Sequence, residues 1–143
     1  MRRVQELPET VAMRINFAGA QAHATIPVWL AAADVLCLPS RNEGLPNVAI
    51  EAMACGRPVV ATRVGGVEEV VVSQELGLTV PPDNPEALSV ALETALGMRW
   101  DVETIRRHAE RFSWGQTVHQ CLDLWQDVLR SHNDSRGVVR DRS

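Results

Sequence analysis

The stretch that decides the fold is ADVLCLPSRNEGLPNVAIEAMACGRPVVAT, residues 33–62. Its two apolar runs, DVLCLPS and RPVVAT, each end at a Ser or Thr, which is typical of short buried strands. Between them, PNVAIEAMACG has helical spacing, with Pro46 suited to the first turn and Gly56 to the C-terminal cap. A strand, a helix and a second strand in this order predict two parallel strands joined by a crossover helix.

The same alternation continues on both sides of this stretch. RINFAG before it and LGLTVPP after it read as two more strands, while TIPVWLAAAD and GVEEVVV read as helices. The pattern predicts an α/β fold with a Rossmann-like parallel sheet and crossover helices. Three helical segments follow: PEALSVALETALGM, DVETIRRHAERF and SWGQTVHQCLDLWQDVLRSH. In the last one, Val118, Leu122, Trp125 and Leu129 recur at helical spacing, which predicts a face buried against the core.

The composition of the chain excludes several classes of partner and site. The net charge of −4 gives no basic field, so nucleic acid is not an expected partner. All 14 cationic side chains are arginine, so the chain supplies no lysine ammonium.

The three cysteines, Cys37, Cys55 and Cys121, form no C-x-x-C pair. Their apolar or helical settings predict buried free thiols rather than disulfides or zinc ligands. Without a signal-peptide pattern or a membrane-spanning run, a cytoplasmic protein is expected.

The length of 143 residues suits one domain. We expect a folded unit over residues 1–132 and a disordered tail over residues 133–143, where NDSRGVVRDRS is polar.

A candidate site lies in the loop PSRNEGLPN of the opening stretch. Ligands of open parallel sheets bind beyond the carboxyl ends of the strands, where loops lead into helix N-termini. Gly44 permits close backbone approach, and the amides that open the next helix suit a phosphate. Glu51 follows Glu43 by eight residues, about 80° around a helix axis, so both carboxylates can share one side of a cleft. Spacing alone also fits an ordinary loop charge and a solvated helix residue.

The residues AAADVLCLPSRNEGLPNVAIEAMACGRPVVATRVGGVEEVV resemble the C-terminal domain of retaining, nucleotide-sugar-dependent glycosyltransferases of the GT-B fold, the group called glycosyl transferases group 1. The resemblance extends from about Ile15 to about Leu129 and rests above all on the two glutamates and the helix behind them. It implies that Glu43 is the catalytic-site residue that binds donor-sugar hydroxyls. It also implies that Glu51 holds the ribose hydroxyls of the donor.

The resemblance implies further contacts to the donor. Pro46 has no N–H, so only the two residues before it have amides to donate at the helix start that faces the diphosphate. For the turn after FAG, which matches the nucleobase cradle, an ordinary loop is the alternative. The TRVGG loop matches a Gly-rich loop that faces the cleft in the family. The alternative is a tight turn that contacts no ligand. The donor-binding positions implied besides Glu51 are Gly44, Leu45, Pro46, Asn47, Ala20 and Gln21.

The chain departs from this family pattern in its length. The resemblance covers the C-terminal half of a GT-B fold and lacks its first two strand–helix units, which carry the arginine and lysine that neutralise the donor diphosphate. In the strand order that the family implies, the missing strands lie between RINFAG and DVLCLPS. We therefore expect either that these two runs pair directly or that strand edges stay open.

The resemblance implies a whole enzyme that transfers a sugar from a nucleotide-diphosphate-sugar donor, with retention of configuration, to a glycan, lipid or small-molecule acceptor. It implies no metal and no other cofactor. The acceptor would bind mainly to the missing N-terminal domain, and the full-length enzyme could associate peripherally with a membrane. The isolated 143-residue chain is expected to be inactive. The alternative is a non-catalytic nucleotide-sugar-binding or scaffold protein.

Overall fold

The computed structural model describes residues 7–137, with side chains to His132. It is an α/β structure with three parallel strands in the order β1-β2-β3. The strands are β1 Leu36–Leu38, β2 Val59–Thr62 and β3 Gly77–Val80. The helices are α1 Glu9–Ala12, α2 Ile26–Ala32, α3 Asn47–Ala54, α4 Val67–Val70, α5 Pro85–Gly97, α6 Val102–Ala109 and α7 Trp114–Gly137. Short 3₁₀ turns span His23–Thr25 and Glu110–Phe112. The predicted α/β class with parallel strands is confirmed.

The central strand β2 is buried on both faces of the sheet. Val59 and Ala61 belong to a core cluster with residues of α2, α3, α4 and α6, whereas Val60 belongs to a second cluster with α5. Side chains alternate between the two faces of a strand, so these helix groups cover opposite faces. This burial explains why RPVVAT is a continuous apolar run rather than an alternating one.

The end of α3 follows its predicted cap. Gly56 has a φ of +73°, a left-handed conformation that costs a glycine little. Its N–H donates to the carbonyl of Met53 (2.8 Å), and the N–H of Arg57 donates to the carbonyl of Ala52 (2.9 Å). This pair of bonds is a Schellman motif. It turns the chain sharply into β2, with Gly56 packed against Val102 of α6.

Side-chain caps begin the next two long helices. Asn84 caps α5 by accepting from the N–H of Ala87 (2.9 Å). Asp101 caps α6 by accepting from the N–H groups of Glu103 (3.0 Å) and Thr104 (3.2 Å). The Thr104 hydroxyl also donates to Asp101, and this bond is the largest cause of the lowered pKa of the Asp101 carboxyl.

The predicted strand RINFAG is wrong. The backbone after Arg14 is irregular as far as the 3₁₀ turn at His23, and the side chains of Ile15 and Phe17 are exposed. A strand needs a neighbour to complete its hydrogen bonds. Within residues 7–137, β1 pairs only with β2, so RINFAG does not pair with DVLCLPS, and the outer edge of β1 stays open. Of the two expected outcomes, the open edge is the one observed.

The predicted burial of the last helix is also wrong. Every residue of α7 whose side chain is described, 114–132, is exposed. The predicted core stripe is among them, with Val118 51%, Leu122 52%, Trp125 72% and Leu129 59% exposed. Helical spacing makes the face apolar, but burial needs a second surface, and in the described chain α7 packs mainly on the 3₁₀ turn before it.

The three cysteines are free thiols, as predicted, but their predicted burial is wrong for two of them. Cys37 and Cys121 are exposed, and Cys55 is half-buried. Helix α5 packs mainly on β2 and β3, which leaves the Cys37 face of β1 uncovered, and Cys121 lies on the exposed helix α7.

The predicted tail, residues 133–143, falls mostly outside what the structure describes. The backbone of α7 continues to Gly137, about one turn beyond the predicted helix end. Residues 1–6 and 138–143 lie outside the described residues, so disorder of the tail stays a prediction. In the described part of the chain, no helix has the length and apolar character needed to cross a membrane.

Candidate functional site

The candidate site is the loop that connects β1 to α3, residues 39–46, at the carboxyl edge of the sheet. Its first half is bonded to the end of β2. Thr62, the last residue of β2, is 5% exposed, and its hydroxyl donates to the carbonyl of Ser40. A second contact of the same hydroxyl reaches the carbonyl of Leu38 at 3.5 Å. The end of β2 therefore fixes the place where the loop leaves β1.

Glu43 is oriented by a residue of its own loop. The hydroxyl of Ser40 donates to Oε1 of Glu43 (2.5 Å), and the glutamate is half-buried. A carboxylate has two oxygens, and within the described residues Oε2 has no hydrogen-bond partner. The Ser40 bond therefore restrains the side chain and leaves an acceptor for the hydroxyl of a ligand.

The TRVGG loop packs directly on the backbone of the Glu43 loop. The N–H of Gly66 donates to the carbonyl of Gly44 (2.9 Å). Gly65 has a φ of +52°, and a Cβ at this residue would lie 1.7 Å from the carbonyl oxygen of Glu43. A Cβ at Gly66 would lie 2.6 Å from the carbonyl oxygen of Gly44. Only glycine permits these two close backbone contacts. The glycines of the TRVGG loop are therefore explained by packing against the Glu43 loop, without a ligand.

Helix α3 begins next to this loop without a side-chain cap. Pro46 is the buried N-cap residue, one position earlier than predicted, because its ψ of 89° is not helical. Asn47 is the first helical residue. The first intrahelical acceptor is the carbonyl of Pro46, which the N–H of Ala49 reaches at 3.0 Å. The amides before Ala49 have no intrahelical partner, which makes the helix start suited to an anion.

Open space lies beside the loop at Gly44. A Cβ built there meets no atom within 4 Å, in contrast to the two glycines of the TRVGG loop. Leu45, the next residue, is 49% exposed. The backbone at Gly44 and Leu45 is therefore accessible to a ligand that approaches the start of α3.

Glu51 lies on α3 itself, as predicted. It is half-buried, and within the described residues its carboxylate has no hydrogen-bond or ion-pair partner. It is the fifth residue of α3, a little over one turn from the helix start that adjoins the Glu43 loop.

Ala20 and Gln21 lie apart from these hydrogen bonds. Both are exposed residues ahead of the 3₁₀ turn at His23–Thr25. The side-chain amide of Gln21 donates to the carbonyl of Ala18 in the same segment. Within the described residues, no hydrogen bond joins this segment to residues 39–46.

Sequence reasoning missed Ser40 and Thr62. A signal was present, because each is the hydroxyl residue that closes one of the two adjacent predicted strands, DVLCLPS and RPVVAT. Parallel neighbouring strands bring their carboxyl ends together, so two such hydroxyls are expected to lie close to each other. Their bonds to Glu43 and to the loop backbone depend on the tertiary arrangement.

A cavity of about 220 Å³ opens at the same edge of the sheet. Its lining is Pro39, Arg41, Thr62, Asp83, Asn84, Pro85 and Leu88. Arg41 and Asp83 form an ion pair across it (2.9 Å), and both side chains are largely exposed, so the pair contributes little stability. Among residues 7–132, no three or more His, Cys, Asp or Glu side chains form a group that could hold a metal ion.

Comparison with known proteins identifies relatives of this chain. A family model described as glycosyl transferases group 1 matches residues 1–97. The D-inositol 3-phosphate glycosyltransferase of Jonesia denitrificans is 36% identical over 128 residues, which are 87% of this chain and 30% of the relative. The protein of the same name from Saccharomonospora viridis is 42% identical over 103 residues, 68% of this chain and 24% of the relative.

Solved structures show the same likeness. Sucrose-phosphate synthase from Thermosynechococcus elongatus superposes with a TM-score of 0.79 and 34% identity, over 91% of this chain and 33% of that one. The C-terminal domain of a glycosyl transferase group 1 family protein (LpcC) from Francisella tularensis gives a TM-score of 0.50 and 29% identity, over 66% of this chain and 46% of that one. The chain thus spans less than a third of the length of the curated relatives described above.

Proposed function

Because the chain belongs to the glycosyl transferases group 1 family, we propose that it forms the donor-binding part of a retaining GT-B glycosyltransferase. The substrate class is a nucleotide-diphosphate sugar. The observation that carries the proposal is the start of α3, which has no side-chain cap, lies next to the oriented carboxylate of Glu43 and has open space at Gly44.

The donor diphosphate binds at the helix start in this proposal. Backbone amides of Gly44, Leu45 and Asn47 donate to phosphate oxygens, helped by the positive end of the helix dipole. Pro46 has no N–H and instead sets the entry angle of the chain. The chain has no lysine, so within it these amides contribute to stabilising the diphosphate leaving group, beside the arginine and lysine that the family pattern carries in the missing units.

The two glutamates bind hydroxyls on either side of the diphosphate. Glu43 accepts hydrogen bonds from the donor sugar through the oxygen that Ser40 does not occupy, and so positions the anomeric carbon for transfer. Glu51 accepts from the ribose hydroxyls, for which its unpaired carboxylate is suited. The nucleobase lies at the exposed residues Ala20 and Gln21, as the family resemblance implies.

The acceptor and the mechanism follow the family in this proposal. Transfer proceeds with retention of configuration and needs no metal or other cofactor. Among glycan, lipid and small-molecule acceptors, the small molecule is favoured by relatives named for D-inositol 3-phosphate. The acceptor binds outside this chain, and the site acts in the cytoplasm, which the free thiols support. If the acceptor is a lipid, the whole enzyme is expected to associate peripherally with a membrane.

Donor binding to the chain of residues 1–143 tests the proposal. Saturation-transfer NMR and titration calorimetry are run with uridine, adenosine and guanosine diphosphates and with their glucose conjugates. We expect the chain to bind the diphosphate of one of the three nucleosides, together with its glucose conjugate. Glu51→Gln is expected to lower this affinity about tenfold, because charge-assisted hydrogen bonds to the ribose are lost. Gly44→Ala weakens binding without lowering the melting temperature, because its added methyl group enters open space that the donor occupies.

Glu93→Gln is the matched control, since Glu93 is an exposed glutamate on α5, away from the loop. If no probe binds, or if Glu93→Gln weakens binding as much as Glu51→Gln, the donor-site proposal is wrong. Because the acceptor binds outside this chain, donor binding without turnover is expected in both cases, and sugar transfer by the full-length enzyme distinguishes the transferase from the non-catalytic nucleotide-sugar-binding alternative.

A further inference from the structure

The segment from the end of β2 to the start of α4, Thr62–Gly66, contacts the Glu43 loop at two places. Thr62 donates to the carbonyl of Ser40, ahead of the glutamate. Gly66 donates to the carbonyl of Gly44, just after it (2.9 Å). Glu43 is therefore bracketed by two backbone carbonyls that a single neighbouring segment binds.

The fit between the two segments is close between these bonds as well. Gly65 adopts a left-handed φ of +52° with its Cα against the carbonyl of Glu43, where no side chain fits. The steric contact prevents the loop from moving toward the Thr62–Gly66 segment, and the two hydrogen bonds oppose movement away from it. The Glu43 backbone thus has little freedom in either direction.

The segment is itself anchored to the core. Gly66 is the N-cap residue of α4, whose Val67 and Val70 are completely buried. At the other end of α4, the carbonyl of Val70 is 2.9 Å from Nε2 of His108. His108 is 8% exposed and contacts Phe112 edge-on, so it ties α4 to α6. The Thr62–Gly66 segment therefore connects the Glu43 loop to both sheet and helices.

We propose that Thr62, Gly65 and Gly66 are positioning residues that set the Glu43 carboxylate relative to the donor sugar. The assignment rests on the proposed function, because Glu43 meets the sugar only if the loop binds a nucleotide sugar. None of the three residues contacts the donor in this assignment. They act by fixing the loop backbone from which Glu43 and its Ser40 partner project.

The proposal makes a selective prediction about affinity. A nucleoside diphosphate binds through the helix start and Glu51, whereas its glucose conjugate also uses Glu43. Displacing the loop therefore reduces the affinity for the glucose conjugate more than the affinity for the nucleoside diphosphate, which keeps Asn47 and Glu51 as partners outside the loop. General destabilisation of the fold, in contrast, lowers both affinities by the same factor.

The first experiment needs no ligand. Amide hydrogen exchange at position 66, whose N–H donates to the carbonyl of Gly44, is measured in the chain of residues 1–143 and in Gly66→Ala, Thr62→Val and Thr62→Ser. We expect exchange at least about tenfold faster in the first two variants, because the loop opens locally, and near wild-type exchange in Thr62→Ser, which keeps the hydroxyl. Gly97→Ala is the control, since a Cβ there meets nothing within 4 Å.

The second experiment compares the affinities of the nucleoside diphosphate and its glucose conjugate in the same variants. Thr62→Val is expected to reduce their ratio about fivefold, with recovery in Thr62→Ser. Thr62→Val keeps the side-chain shape, so it remains informative if Gly66→Ala does not fold. Exchange at position 66 in Thr62→Val that matches Gly97→Ala, or equal loss of both affinities, overturns the proposal. If the wild-type chain binds no probe, the proposed function fails, and the exchange rates alone decide whether the segment restrains the loop.

Discussion

At the scale of single residues, the site is defined by the carboxylate oxygens that remain without a hydrogen-bond partner in the described chain. Ser40 occupies one oxygen of Glu43, and the carboxylate of Glu51 has no partner in the described chain. The glycines in and beside the loop serve two different purposes. Gly65 and Gly66 permit contact between two backbones, whereas Gly44 borders open space. The same residue type therefore serves internal packing at two positions and ligand access at the third.

Cys37 gives a prediction about pH. Although Cys37 is exposed overall, partial burial of its thiol raises the pKa of Cys37. The folded state thus favours the neutral thiol, and this contribution to stability is present below the unfolded pKa and lost as pH rises through the folded one. Alkylation of Cys37 by iodoacetamide is expected to be slow at neutral pH and to rise with a midpoint above that of free cysteine.

Single-cysteine variants make this measurable. Cys55→Ala with Cys121→Ala leaves only Cys37, and rates of alkylation are followed by mass spectrometry against pH. The variant that keeps only Cys121 on α7 reports the reactivity of an exposed thiol elsewhere in the same chain. A Cys37 midpoint at or below that of free cysteine contradicts the prediction.

At the scale of elements, the end of α3 is the best determined feature. Gly56 combines a positive φ with close contact to α6, where a Cβ would lie 2.5 Å from Cγ1 of Val102. We expect Gly56→Ala to lower the free energy of unfolding by about 1–3 kcal/mol, from the left-handed backbone and the displaced valine. Urea denaturation measures the change.

The control for Gly56 is Gly97→Ala, because Gly97 ends α5 with a negative φ and open space around it. Alanine there is expected to be neutral or slightly stabilising. A Gly56→Ala variant combined with Val102→Ala should recover part of the loss, since the second change removes the crowded methyl groups. No difference between the Gly56 and Gly97 variants would show that the cap does not depend on glycine.

At the scale of the whole molecule, α7 stands outside the core. All its described side chains are exposed, so its removal exposes little apolar surface of the sheet. We expect a chain ending at Ser113 to unfold with a free energy within about 1 kcal/mol of the full chain. Urea denaturation, with amide exchange of β2 as a second probe, compares the two.

A chain ending at Trp100 serves as the contrasting truncation. It also removes α6, whose Ile105 is completely buried and whose Ala109 is 6% exposed, and we expect it not to fold cooperatively. If loss of α7 alone destabilises the sheet as severely as loss of α6, then α7 packs on the body more than the structure indicates.

The sequence determined the elements whose signals are local. The caps at Gly56 and Asn84, the helix after GLPN and the apolar run of β2 could all be predicted because hydrogen bonding and periodicity within a few residues encode them. The positions of Glu43 in the loop at the carboxyl edge of the sheet and of Glu51 on the helix that follows were predictable too. Their proposed roles came from resemblance and stay predictions.

Tertiary structure decided what depends on distant partners. RINFAG has the composition of a strand but no neighbouring strand, and the stripe of α7 has helical spacing but no surface to cover it. Likewise, the bonds from Thr62 and Gly66 to the Glu43 loop join residues 22 apart in the chain. Strand pairing and burial each require two surfaces. A pattern along one segment can indicate that the segment is able to pair or to be buried, but it does not determine whether another part of the chain lies against it.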